Sequence, residues 1–176
     1  MGRDIKIYAF EYLLTLLLDW SKDLIPAVPE YSFTRLKALK LLFFTAAVKN
    51  EQGGDLLDVF DNFYALPNGP VESDIYNCIT ADQLTYYTFK DFSFGLKQRY
   101  DEKELNEELK SRIKLAVVAL RAKNERIVSY KAEQLVDLSH IWMSWQKSIS
   151  MAKALGKGSY CMSPSDIRSN PQIFTI

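Results

Sequence analysis

The chain reads as a mainly α-helical protein, a single globular domain of about six to seven helices. Three observations predict this. Apolar residues recur every three or four positions along several long stretches, the signature of helices with one buried stripe. Proline and glycine cluster at a few breaks, Pro26 and Pro29, Gly53-Gly54, Pro67 to Pro70 and Gly156 to Gly158, with no internal repeat between them. With 176 residues, 48% hydrophobic and 13% aromatic, the chain has enough apolar material for one sizeable core.

A first helix is expected from about Asp4 to Asp23, with Asp4 placed to cap its start. Pro26 and Pro29 bias their neighbours away from helix and end it. Ser32 or Thr34 opens a second helix through about Lys49. There Leu36, Leu39, Leu42, Phe43, Ala46 and Ala47 share a broad apolar face and Arg35, Lys37 and Lys40 occupy the other. Gly53-Gly54 should stop it. Asp55 to Asn62 can make a short helix and Phe63 to Leu66 an extended segment. Pro67-Asn68-Gly69-Pro70 is turn chemistry. Val71 to Ala81 reads as a helix with Glu72 and Asp74 in its first turn. Gln83 to Phe94 reads equally as strand or ordered loop, leaving room for a short two-stranded β element around residues 63–66 and 84–94. A long helix follows from Asp101 to Lys123, on Leu105, Leu109, Ile113, Val117 and Leu120. Glu102, Glu104, Glu107 and Glu108 pair along its polar side with Lys103, Lys110 and Arg112. Another helix runs from Lys131 to Leu155, on Leu135, Leu138, Trp142, Trp145, Ile149 and Ala152. Ser163-Pro164-Ser165-Asp166 then caps a short last helix.

Composition excludes several functions. The formal net charge is zero, which argues against an electrostatic binder of DNA or RNA. A single histidine, His140, leaves a zinc site short of ligands, and no metal or cofactor is expected. Cys78 and Cys161 have no paired spacing, so a disulfide framework is not expected and a cytoplasmic location is. Lys6, Glu11 and Asp19 interrupt the apolar N-terminal stretch, too often for a membrane span. No phosphate-cradling glycine loop and no nucleophile turn is present. His140 has no identifiable partner set for catalysis, so no enzyme is expected, and the histidine and the three tryptophans are first of all core candidates. Tyr86, Tyr87 and the aromatics from Phe89 through Phe92 to Phe94 lack the basic surround that base stacking needs.

Charge is uneven along the chain. Residues 1–49 carry a net +2, residues 50–82 a net −7 and residues 83–176 a net +5. The acidic middle has two readings, a surface for a basic partner or a set of solvated loops and helix starts.

Within Leu36 to Lys147 the residues add a resemblance. Lys40-Leu41-Leu42-Phe43 precedes Phe63-Tyr64-Ala65-Leu66-Pro67-Asn68-Gly69-Pro70-Val71, then Ile75-Tyr76, and later Leu138-Ser139-His140 and Trp145. The pattern resembles the Panacea domain of SocA-like bacterial antitoxins, although an aromatic residue is expected just before Gly69. The resemblance implies a domain over residues 31–176, preceded by an apolar helix and linker over residues 1–30 packed on the core. It implies a non-catalytic antitoxin that binds a co-encoded protein toxin, with homo-oligomers or toxin hetero-oligomers allowed. The family motif falls on Leu41, Leu42, Phe43, Gly69, Pro70, Val71, Ile75, Tyr76, His140 and Trp145. The toxin surface is expected around Asp58, Asp61, Phe63, Tyr64, Asn68, Gly69, Pro70 and Val71, with carboxylates steering a basic partner. A second expectation within the family places toxin contact on the N-terminal helix. The rival readings are an adaptor that delivers a toxin to a protease, and a DNA-binding regulator using Arg35, Lys37 and Lys40.

Overall fold

A computed structural model describes residues 2–25, 33–90, 93–101 and 104–175. The breaks expected at Pro26 and Pro29, the alternative cap Ser32, and Phe92, Glu102 and Lys103 lie outside them. Seven α-helices and five short strands are described: α1 (Arg3–Leu24), α2 (Arg35–Ala47), β1 (Phe63–Leu66), β2 (Gly69–Glu72), α3 (Ser73–Thr80), β3 (Tyr87–Lys90), β4 (Ser93–Leu96), α4 (Glu107–Lys123), α5 (Ala132–His140), α6 (Met143–Ala154), β5 (Tyr160–Met162) and α7 (Pro164–Ser169). The protein is mainly α, with two small antiparallel sheets ordered β2-β1-β5 and β3-β4.

Local chemistry sets several boundaries. Thr34 caps α2 by accepting from the Lys37 amide at 3.2 Å, and Ser163 caps α7 by accepting from the Asp166 amide at 3.1 Å. Gly156 takes a φ of 63° after α6, and the Lys157 amide donates back to Ala152, a left-handed helix stop that glycine permits. Asp4 does not cap α1; the cap is Gly2, with no side-chain bond, and Asp4 sits in the first turn.

Elsewhere tertiary packing overrides the sequence pattern. The helix expected over 131–155 is two helices, because Trp142 turns extended (ψ 120°) between them. Its ring is fully buried against Phe43 at 4.8 Å, and its Nε1 donates to the Ile173 carbonyl at 2.7 Å. The helix expected from Asp101 begins at Glu107, where Asn106 accepts from the Leu109 amide at 2.8 Å. Residues 55–62 are turns and bends, not helix, with Leu56, Leu57, Val59 and Phe60 all buried while Asp58 and Asp61 stay exposed. Gly53-Gly54 does not end α2, which stops at Ala47; Gly54 closes a separate turn on Asn50. Residues 69–72 are a strand, so α3 starts at Ser73, with Glu72 accepting from the Ile75 amide at 2.8 Å. The 63–66 segment does not pair with 84–94. It pairs with β2 and β5, while β3 pairs with β4, Phe89 opposite Phe94.

One hydrophobic cluster spans the described chain, from Ala9, Phe10 and Leu13 of α1 through Ala38 to Ala47 of α2 and on to Phe174. Helix α1 is therefore part of the core. No described helix is long and apolar enough to cross a membrane.

Candidate functional site

Five of the resembling residues, Lys40, Gly69, Pro70, His140 and Trp145, spread over a hundred positions of sequence, meet at the turn between β1 and β2. Gly69 is held at φ +90°, a region that L side chains avoid. Asn68 is exposed beside it and does not share the left-handed geometry. Three helices then grip the turn from below. From α2, Lys40 Nζ donates to the Pro70 carbonyl at 2.7 Å. From α6, Trp145 Nε1 donates to the Leu66 carbonyl at 3.0 Å. At the end of α5, His140 stacks on Trp145 with ring centroids 3.9 Å apart and 12° between planes, and the Pro67 carbonyl favours its protonated form. A β-carbon on Gly69 would collide with Ser139 Oγ and come within 3.0 Å of Lys40 Nζ.

The electrostatics of this grip are unusual. Lys40 is 0% exposed, and among the described residues no carboxylate pairs with it. Burial pushes its ammonium down to about 7, since low dielectric disfavours the charged form. Burial and the neighbouring Lys40 also push the His140 imidazole below its ordinary value. Its Nε2 is buried without a hydrogen-bond partner.

The register decides which side chains face outward. Tyr64 lies between Val71 and Cys161 in one cross-strand row, and Leu66 lies opposite Gly69. The alternate residues Phe63 and Ala65 are fully buried. The outer face carries a shallow groove of about 230 Å³, lined by Tyr64, Leu66, Val71 and Tyr76 among others. The exposed Arg35 guanidinium sits 5.5 Å from the Tyr76 ring centre.

The expected docking residues therefore separate. Tyr64 and Asn68 reach the surface, and Val71, 6% exposed, forms the groove floor. Phe63 does not: it packs edge-on against Phe43 at 5.5 Å. Gly69 and Pro70 are buried and shape the turn. Of the remaining motif residues, Leu41, Leu42, Phe43 and Ile75 are fully buried core.

Asp58 and Asp61 are spoken for within the chain. Arg112 forks onto Asp58 at 2.6 and 3.0 Å and holds its carboxyl below the usual range. Arg168 reaches both Asp55 oxygens at 2.8 Å. Lys6 donates to Asp61 at 2.7 Å, Glu72 at 2.9 Å and Asp74 at 2.6 Å. Burial alone would lower the Lys6 ammonium, but these bonds outweigh it and raise it above its ordinary value. Glu72, by contrast, is raised above its ordinary value because its own burial outweighs the Ile75 amide and Lys6. The acidic middle segment is thus largely neutralised by basic residues from both ends, so its charge stitches the fold.

Among the described residues, Asp61, Glu72 and Asp74 form a three-carboxylate group that could ligate a metal, their oxygens lying within 4.8 Å of one another. The Lys6 ammonium bonds all three, and a cation would have to displace it. Lys37 is 5% exposed and Lys40 is fully buried, so the expected basic face of α2 is not there; Arg35 alone is exposed. Sequence reading missed the burial of Lys40 and the Lys6 cage. Spacing carried a signal for the first: Lys40 is four residues from both Leu36 and Phe44, on the apolar face.

No family model, no curated protein and no solved structure matches this chain.

Proposed function

We propose that this protein is a non-catalytic, Panacea-type antitoxin of the cytoplasm that neutralises a co-encoded protein toxin by direct contact. The contact surface is the outer face of the β2-β1-β5 sheet, centred on Tyr64, Leu66, Val71 and Tyr76. The observation that carries this reading is the convergence of the resembling residues. Lys40, Gly69, Pro70, His140 and Trp145 build one gripped turn, and Tyr64, Val71 and Tyr76 lie on the face it holds. A rigid support beneath half-buried aromatic side chains is the arrangement that makes interface anchors. The charged residues expected to steer a basic toxin are already paired internally, so affinity rests on apolar and aromatic contact.

The test is growth rescue. The small open reading frame beside the gene is induced with and without this protein, and with Tyr64→Glu and Tyr76→Glu variants. The wild type restores growth, and each variant loses rescue while keeping a wild-type melting curve. Full rescue by both folded variants would move the contact elsewhere, and a harmless neighbour would remove the toxin reading.

A further inference from the structure

The chain contains a fully buried lysine, Lys40, near a half-buried histidine, His140, whose charges nothing in the proposed contact uses. Lys40 Nζ donates to the Pro70 carbonyl from α2, and His140 at the end of α5 stacks on Trp145, which holds the Leu66 carbonyl of the same turn. A buried cation is ordinarily matched by a carboxylate. Here the charges on the elements packed around the turn are committed or carry the wrong sign, apart from the exposed Asp137. On β2, Glu72 is held by Lys6 and the Ile75 amide. From α1, Lys6 is consumed by three carboxylates, and Glu11 accepts from the Tyr86 amide. On α4, Arg112 is paired with Asp58 and Lys110 with Glu107. On α2 itself, Lys37 lies 5.3 Å from the Phe33 ring centre and Arg35 over Tyr76. On α5, Asp137 favours a charged His140, but Lys40 opposes it as a like charge.

We infer that the Leu66–Pro70 turn is a proton-sensitive clasp, closed when Lys40 is a neutral amine and opened by protons taken up at Lys40 and His140. In the closed turn a neutral Lys40 still donates one bond to Pro70. Protonation adds one N–H donor, consumes the lone pair and puts a charge in a site where no carboxylate is bonded to Lys40 among the described residues, and releasing the turn lets water reach it. The direction follows from proton linkage. An open turn leaves Lys40 near its ordinary value of 10.5, against about 7 when closed. The open form therefore binds more protons between those values, and opening is favoured progressively as pH falls from 10.5 to 7. Below 6.5 His140 continues in the same direction, because its closed-state value also lies beneath the ordinary one. From Lys40 alone the opening constant rises about 50-fold between pH 9 and pH 7. This inference concerns the free chain and does not depend on the identity of any partner.

Hydrogen exchange on the purified protein tests it. Protection factors, normalised to the intrinsic exchange rate at each pH, are read for a peptide spanning residues 63–72 and for one within α4. The clasp predicts that protection at 63–72 drops by roughly 50-fold from pH 9 to pH 7 relative to α4. In Lys40→Met that relative drop disappears above pH 7. In parallel, the Cε resonance of Lys40 in ¹³C-lysine-labelled wild type should titrate well below the surface lysines and below Lys37, which burial pushes down to about 8, a readout that needs no variant. A pH-independent ratio of the two peptides, or a Lys40 resonance titrating with the surface lysines, would overturn the inference. So would equal loss in both peptides, since the turn would then open only with the whole fold.

Discussion

Replacing Gly69 by alanine tests the gripped turn at its tightest point. The residue sits at φ +90°, and a β-carbon there meets the Ser139 hydroxyl and comes within 3.0 Å of Lys40 Nζ. Left-handed backbone costs an L-residue about 1–2 kcal/mol. Forcing a methyl into a filled site costs about 1–3 kcal/mol more, because the Ser139 and Lys40 side chains it meets are both fully buried. Gly69→Ala should therefore lose about 2–5 kcal/mol, read as the shift of the urea unfolding midpoint at unchanged slope. Adding Ser139→Gly removes the hydroxyl contact and leaves the backbone strain. The double variant should stay about 1–2 kcal/mol below Ser139→Gly alone. A Gly69→Ala loss under about 0.5 kcal/mol, the size of an ordinary surface change, would refute the reasoning. So would complete restoration in the double variant, which would assign the whole cost to one side chain.

Two further outcomes follow from the core. Lys6→Met leaves Asp61, Glu72 and Asp74 facing one another without a cation, and removing one partner of a buried pair costs about 3–5 kcal/mol. Lys6 holds the Asp61 carboxyl below its ordinary value, so wild type carries stability above that value that is lost as pH falls through the depressed one. Thermal melts of Lys6→Met from pH 7 to 3 should lack that part of the acid loss, and an unchanged profile would contradict the assignment. Deleting residues 2–23 removes Phe10, Leu13, Leu14 and Trp20 from the single core. Circular dichroism should then show an unfolded chain, which means deletion cannot map a toxin contact to α1. A remainder with a cooperative melt would show that the helix is an appendage.

Much of the fold was legible because helical spacing and end chemistry agree. The Thr34 and Ser163 caps, the stop at Gly156 and the turn at residues 67–70 are local signals, and the structure follows them. The misreadings share one cause, non-local packing. Nothing around Ile141-Trp142 breaks a helix by composition; burial of the Trp142 ring among Phe43, Phe44 and Phe174 does it. The extended segment from Phe63 to Leu66 was visible, but not its partners, since β5 arrives from about a hundred residues away. Charge misled in the same manner. A run of seven acidic residues without a lysine or arginine looks like a surface, and only the fold brings Arg112, Arg168 and Lys6 onto it. Of the candidate site, Tyr64 and Asn68 were placed at the surface by sequence, while Phe63 fell on the wrong face by the one-residue parity of a strand.

The central claim is direct contact through the outer sheet face, and binding between purified proteins tests it most directly. The neighbouring gene product, made as an inactive variant if it is toxic, is titrated into this protein and into the Tyr64→Glu/Tyr76→Glu double variant by calorimetry. The account predicts a complex with wild type and a loss of about 30-fold or more in affinity for the folded double variant, the size expected when central aromatic anchors are removed. Equal affinity for both proteins would contradict it.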